Sequence, residues 1–327
     1  MTSLLISLAL TLSAGVTKES VPNVGVIDFY GVRTVSKERL RQALQIKEGD
    51  PATTAKEEAI RRLEEVPKVS KASLTFVCCD AGKTTLYVGI QEDDSPGIEF
   101  RPAPQGLAQL PAEILRDGAA IKEALEKAVI KGDAAEDRSE GHALSANAEM
   151  LAIQRRFIAY ASRELDGLRS VLRTSPDPSH RALAAEVIGY APSKRQVVAA
   201  LLRGMNDPAP EVRNNCMRAL VVIAEFARRS PRERIVIPSA TFVNLLHSVE
   251  WSDRNKAAAA LRALTDTRDS EILSVLGERG KEPLEEMARW KSPSHAYDAF
   301  VLLGRVKGLS ETEIRERWND DPGKRRF

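Results

Sequence analysis

Cysteine is scarce: Cys78, Cys79 and Cys216 are the only three, too few and too odd a number to form a disulfide framework. The four histidines, His142, His180, His247 and His295, never fall at the i,i+4 spacing of a helical metal pair nor beside a cysteine pair, so no metal and no cofactor is expected. Aromatic residues make up 5% of the chain, and the abundant alanine and leucine favour helix-on-helix packing. Neither charge sign dominates. With 48 basic and 46 acidic residues, a net charge of +2 gives the whole chain no long-range pull on nucleic acid or anionic lipid. Downstream of the first twenty residues nothing approaches the run of about 20 apolar residues that a membrane-spanning helix needs. No G-x-S-x-G occurs, and no Ser/His/Asp arrangement stands out, so no acyl-transfer nucleophile is indicated. What is present is length: 327 residues correspond to about two domains.

Leu4 to Leu12 read LLISLALTL, followed by the small residues Ser13, Ala14 and Gly15, which fits a secretory signal peptide with a periplasmic or secreted product. No Lys or Arg precedes the run, so a buried first helix and a cytoplasmic location stay open. From Val24 to Asp93 the pattern runs in order: the alternating VGVIDFYGV as a strand, then a helix capped by Ser36 with Leu40 and Leu44 on one stripe. A second helix follows over Thr53 to Glu65, with Ala55, Ala59, Ile60 and Leu63 on its stripe. Two strands, SLTFVCC and TTLYVGI, meet at a turn of Asp80, Ala81 and Gly82. Strand alternation points Cys78 and Cys79 to opposite faces, favouring two independent side chains over a strained vicinal disulfide. Gly82-Lys83-Thr84 ends like a phosphate loop, but position 77 is Val and the segment joins two strands, so it reads as a hairpin.

This β-α-α-β-β order resembles the POTRA (polypeptide-transport-associated) domain. The resemblance rests on "DFYGVRTVSKERLRQALQIKEGD", "RRLEEVPKVSKASL" and "LYVGIQED". The family's structural positions are matched by Phe29 with Gly31, by Gly49 with Asp50, and by Val69. The resemblance implies a cell-envelope context and recognition of an extended peptide by strand addition, at the Ser73 to Cys79 strand or at Val24 to Val32. No β-barrel sequence follows.

The second half repeats. "SHRALAAEVIG" from Ser179 matches "SHAYDAFVLLG" from Ser294, with weaker copies at "EVRNNCMRALV" and "RNKAAAALRALT"; Ala184, Cys216, Ala260 and Ala299 align with spacings of 32, 44 and 39. Preceding helices LDGLRSVLR, RQVVAALLRGM, ATFVNLLHSV and PLEEMARW supply partners. Units near 40 residues built of two helices cannot bury their apolar stripes alone and stack into an array. The copies resemble the HEAT and PBS-lyase-like repeats, most clearly in "NDPAPEVRNNCMRAL", where the resemblance makes Asp207, Val212 and Arg213 structural positions.

The expected fold is therefore an α+β N-terminal domain plus an all-α HEAT-like solenoid. Its segments are a signal peptide at 1–20, a POTRA-like domain at 21–94, a linker with one helix at 95–140, the repeat array at 141–309, and a C-terminal helix with a basic tail at 310–327. Candidate binding residues are Arg213 and Arg254 on a concave face, and the basic cluster Arg228, Arg229, Arg232 and Arg234, whose ordinary reading is a solvated loop and whose sharper reading is a contact with an acidic partner or phosphate. Trp251, Trp290 and Trp318 read as packing anchors. The leading function is a non-enzymatic interaction scaffold of the bacterial envelope, with a protein or extended peptide as partner and no nucleic acid. The alternatives are a HEAT-like DNA glycosylase, which needs aromatic faces around an acid beside an extruded base, and a bilin-lyase-type activity.

Overall fold

The computed structural model describes residues 22–52, 55–80 and 83–320. The leader at 1–20, the turn residues Ala81 and Gly82, and the basic tail at Lys324 to Arg326 lie outside the described residues. The chain groups into two compact units that are not consecutive in sequence. One, here the helical unit, comprises Glu99–Phe242 and Ala259–Asp269; the other, the sheet unit, joins the described residues up to Ile98 with Val243–Ala258 and Ser270–Phe327. The consecutive segmentation expected from sequence is not the one the packing makes.

In the sheet unit β1 (Val24–Tyr30), α1 (Lys37–Leu44), α2 (Lys56–Glu64), β2 (Val69–Asp80) and β3 (Lys83–Glu92) follow in the order β-α-α-β-β. The sheet order is β1-β3-β2, with β1 parallel and β2 antiparallel to β3. Ser36 accepts the Arg39 N–H at 3.3 Å to start α1, and Gln45 ends it in the left-handed region at φ 55. Leu40, Leu44, Ala59 and Leu63 meet Phe29, Leu74, Leu86, Val88 and Ile90 in one apolar core. Ala55, expected on that stripe, is exposed. Gly31 turns the chain after β1 at φ +74, and a Cβ there would stand 2.1 Å from the Ile90 carbonyl oxygen, so no other residue fits. Gly49 adopts φ +101 with open space around it, a conformational requirement alone.

The opposite sheet face is buried as well. Tyr87 stacks on Trp251 at 5.1 Å and packs against Trp290 at the same separation, and Tyr30 meets Trp290 edge-on at 5.8 Å. Tyr30 donates its hydroxyl to the Val249 carbonyl at 2.6 Å. A strand covered on both faces reads as a continuous apolar run, which is what LYVGI is.

Cys78 is disulfide-bonded and Cys216 is a free, buried thiol. The expectation that Cys78 carries an independent thiol is corrected, and a register shift between Val77 and Asp80 breaks the alternation on which it rested.

The helical unit contains α3 (Ala112–Lys131), a short β4 (Glu136–Asp137) paired with β5 (Leu144–Ser145), α4 (Ala148–Arg163), α5 (Leu165–Thr174), α6 (Pro178–Ile188), α7 (Lys194–Gly204) and α8 (Pro210–Arg229). The segment read as a polar loop after α3 thus pairs as a ribbon, and its Glu136 binds Arg138 and Arg218. Further on lie α9 (Ala240–Leu245), α10 (Trp251–Leu264), α11 (Ser270–Val275), α12 (Lys281–Met287), α13 (Pro293–Val306) and α14 (Glu311–Asp320). Trp318 packs edge-on to Tyr297 and Phe300 within the sheet unit.

Candidate functional site

The repeats carry one device three times. Arg181, in the first turn of α6, sends Nη1 back to the carbonyls of Ser175 and Pro176 at 2.9 and 3.0 Å. Arg213, in the first turn of α8, does the same to Asp207 and Pro208 at 2.7 and 3.0 Å. In α10, Arg254 reaches Ser248 O through Nε at 2.6 Å. Each arginine thus stands six residues after its first carbonyl and caps the loop between paired helices, taking up carbonyls that the turn leaves without helical partners.

This fixes the repeat register. Matching the three arginines aligns Ala184, Cys216 and Ala257, with spacings of 32 and 41; Ala299 follows 42 residues on, in a copy that has Ala296 in place of the arginine. Ala260, the residue expected in the third copy, is one helical turn too far along. Ala257 and Ala260 share a face and are both buried, at 0% and 1% exposure, so apolar pattern alone does not tell them apart.

Asp207 is the hub between the first two copies. Its carboxylate takes Arg181 Nε and Nη2 at 2.9 and 2.8 Å, Arg101 Nη2 at 2.6 Å and the Ala209 N–H at 3.0 Å. Burial alone would raise the pKa of Asp207, but the bonds from Arg181 and Arg101 outweigh it and hold the carboxyl below its ordinary value. Val212 is fully buried beside this network in sequence. Asp50, by contrast, makes a local turn, accepting the Lys47 N–H at 2.8 Å.

Arg101 belongs to the stretch expected to be a linker, and that expectation is corrected. The Arg101 N–H bonds Asn206 O at 3.1 Å and that of Gly106 bonds Thr174 O at 2.8 Å. The Leu110 N–H bonds His180 Nδ1 at 3.1 Å. Phe100 lies under the Arg213 guanidinium at 3.8 Å. The segment follows the ends of α5 and α7, bonding carbonyls those helices leave open.

Arg213 and Arg254, placed by sequence on an open concave face, are therefore buried, at 1% and 5% exposure. Arg254 also binds Glu286 at 2.8 Å and covers the Tyr30 ring at 4.7 Å. The other four arginines are exposed. Arg228 pairs with Asp266 at 3.1 Å and Arg229 donates to Arg138 O at 2.6 Å. Arg232 and Arg234 have no carboxylate partner among the described residues.

Of the two sheet edges where strand addition was expected, β1 is engaged at several backbone groups and β2 at one. On β1, Val24 exchanges bonds with Asp50 and Gly49 at 2.8 and 2.7 Å. The Lys291 ammonium holds Ile27 O at 3.0 Å, and Glu286 takes the Gly31 N–H at 2.8 Å. On β2, Glu64 accepts the Ala72 N–H at 3.1 Å, and Ala72, Ser73, Leu74, Phe76 and Val77 are all buried.

A cleft of about 370 Å³ in the sheet unit is lined by Asp28, Arg33, Arg254, Glu282, Glu286 and Trp290 among others. Arg33 meets Glu282 at 2.6 Å and Arg254 meets Glu286 as ion pairs, and Asp28 accepts the backbone N–H of Lys291 at 2.6 Å. Burial raises the Asp28 pKa. Sequence reasoning passed over Asp28, Glu282 and Glu286; the one available signal was a carboxylate inside the apolar strand VGVIDFY.

His180 and His295 both occupy the third residue of their helices, as the repeat alignment requires. His295 Nδ1 lies 2.7 Å from the Tyr87 hydroxyl and its ring meets Trp251 edge-on at 5.0 Å. Burial, aided by Lys256, pushes its pKa down to about 4.

Residues 165–233 match the family model of HEAT repeats. The match takes in α5 to α8 and the 3-10 turn after them, and the sheet lies outside it. HEAT repeats are commonly protein-interaction motifs. No curated protein matches the chain.

Proposed function

We propose that this chain is a non-enzymatic protein–protein interaction scaffold, built on the helical repeats and acting in the bacterial cell envelope. The observation that carries the reading is the use of charge in the matched repeats. Arg181, Arg213 and Asp207 are all consumed in joining helix pairs, which leaves the exposed helix faces and the arginine-rich rim after α8 for recognition. The β-α-α-β-β order, with β1 parallel and β2 antiparallel to the central β3, supports a POTRA-like reading of the sheet, and the LLISLALTL leader supports export. Strand addition at the sheet edges is not part of the proposal, because an incoming strand would have to displace Asp50, Lys291 or Glu64. The glycosylase and bilin-lyase readings gain nothing: Trp251 and Trp290, at 1% and 3% exposure, are packed in a core and offer no face to an extruded base.

The test places a photo-crosslinking amino acid at the exposed positions Arg173, Ala199 and Glu211 of α5, α7 and α8 in the cells that make the protein. Discrete protein adducts at these positions and none at the exposed Glu57 of α2 are expected. Adducts nowhere, or equally at Glu57, would overturn the scaffold reading. N-terminal sequencing of the mature protein tests the address: a start after the Ser13-Ala14-Gly15 region is expected, and a retained Met1 in the cytosolic fraction would refute export.

A further inference from the structure

We propose that Ile235–Val236–Ile237, between α8 and α9, is a docking strand for an acidic extended segment of a partner protein. The inference rests on the scaffold reading and names the partner's chemistry. The stretch is three β-branched residues, the type that pairs best as strand. It is set off by Arg234, in the left-handed region at φ 47, and by Pro238, which has no N–H to offer. Burial alternates with the period of a strand: Ile235 is half-buried, Val236 is 78% exposed and Ile237 is 7% exposed. Such a pattern anchors the strand by one side chain and presents the next.

The backbone is unpaired. No N–H or C=O group of Ile235, Val236 or Ile237 is bonded to any described residue. Free donors and acceptors on an apolar, β-branched stretch are what an added strand requires, and here, unlike at β1 and β2, no side chain has taken them. Charge selects the guest. Arg229, Arg232 and Arg234 approach this stretch in sequence and are exposed, with Glu233 the one carboxylate among them. Because Arg232 and Arg234 have no carboxylate of their own, a partner's Asp or Glu side chains would form bidentate, charge-assisted pairs with them. The guest is thus a peptide that supplies main-chain groups to 235–237, an apolar side chain against Val236 and carboxylates to the arginines.

The experiment uses the full chain and fluorescent peptides: an alternating Glu-Val peptide, its Lys-Val counterpart, and a Glu-Val peptide N-methylated on alternate backbone nitrogens. The Glu-Val peptide is expected to bind and the Lys-Val peptide not to. R232E/R234E should weaken binding at least about tenfold, the loss of two charge-assisted contacts, with an unchanged circular dichroism spectrum. N-methylation should weaken it comparably, because it removes the ladder and leaves the charge. Binding that ignores N-methylation, or that a single-stranded oligonucleotide reproduces, would mean a plain polyanion contact and would overturn the proposal, as would no binding at all. Crosslinked adducts on α5 to α8 with none from Val236 would sink the docking strand while leaving the scaffold reading standing.

Discussion

Replacing Asp207 by alanine is the sharpest test of how the repeats hold together. The carboxylate is fully buried and accepts two bonds from Arg181, itself 2% exposed, one from Arg101 and one from the Ala209 N–H. Without it the Arg181 guanidinium stays buried with only the Ser175 and Pro176 carbonyls as partners, both reached by Nη1. Removing one member of a buried, hydrogen-bonded pair costs about 3–5 kcal/mol, most of it the stranded charge. With a urea slope of about 2 kcal/mol per M, the unfolding midpoint should fall by about 2 M. The assay is urea titration followed by circular dichroism at the helical band, since all three tryptophans lie in the sheet unit and fluorescence does not report on α5 to α8. Arg181→Met together with Asp207→Leu should recover part of the loss, because the buried Arg181 charge is then removed with its partner, while Arg101 still loses its carboxylate. A shift below about 0.5 M for Asp207→Ala, or a double variant no better than the single, would refute the claim that charge compensation here is what joins the helix pairs.

Other outcomes follow from the sheet unit. His295 titrates at about 4 where an ordinary histidine does so at 6.5, so the unfolded chain binds more protons between those values and stability should rise with pH across that window. Acid titration followed by tryptophan fluorescence should show a step near pH 4 that His295→Gln removes; an unchanged step would refute the assignment. Glu92, despite burial that opposes it, is held at about 2 by bonds from Thr34 and from the N–H groups of Arg33, Thr34 and Val35. Its contribution is complete above the ordinary 4.5 and is lost as pH falls toward 2, so Glu92→Gln should flatten that part of the acid profile. Gly31→Ala meets both a positive φ and the Ile90 carbonyl and should cost more than about 1 kcal/mol in chemical denaturation. A neutral result would show that the turn can relax. Tyr30→Phe leaves Val249 O without its donor and should cost about 1–3 kcal/mol, measured the same way.

The sequence by itself determined the elements whose signals are local. The order β-α-α-β-β, the Ser36 cap, the Leu40 and Leu44 stripe, and the shared helix position of His180 and His295 all come from alternation, helical period or a short repeat, each readable within a dozen residues. Gly31 and Asp207 were also marked as structural by resemblance. Tertiary structure alone decided the partners. Nothing near Arg213 in sequence announces that Phe100 will cover it, and an arginine on a repeat looks the same whether it faces solvent or reaches back to a loop carbonyl. The third copy slipped by one turn because Ala257 and Ala260 lie on the same helix face. The sheet's second face escaped for a related reason: alternation shows that two sides differ, whereas LYVGI, apolar throughout, is buried on both sides by Trp251, Trp290 and His295, residues more than 150 positions away. Periodicity encodes which face of an element is apolar; which surface comes to cover it is settled only when distant segments compete for the same contact.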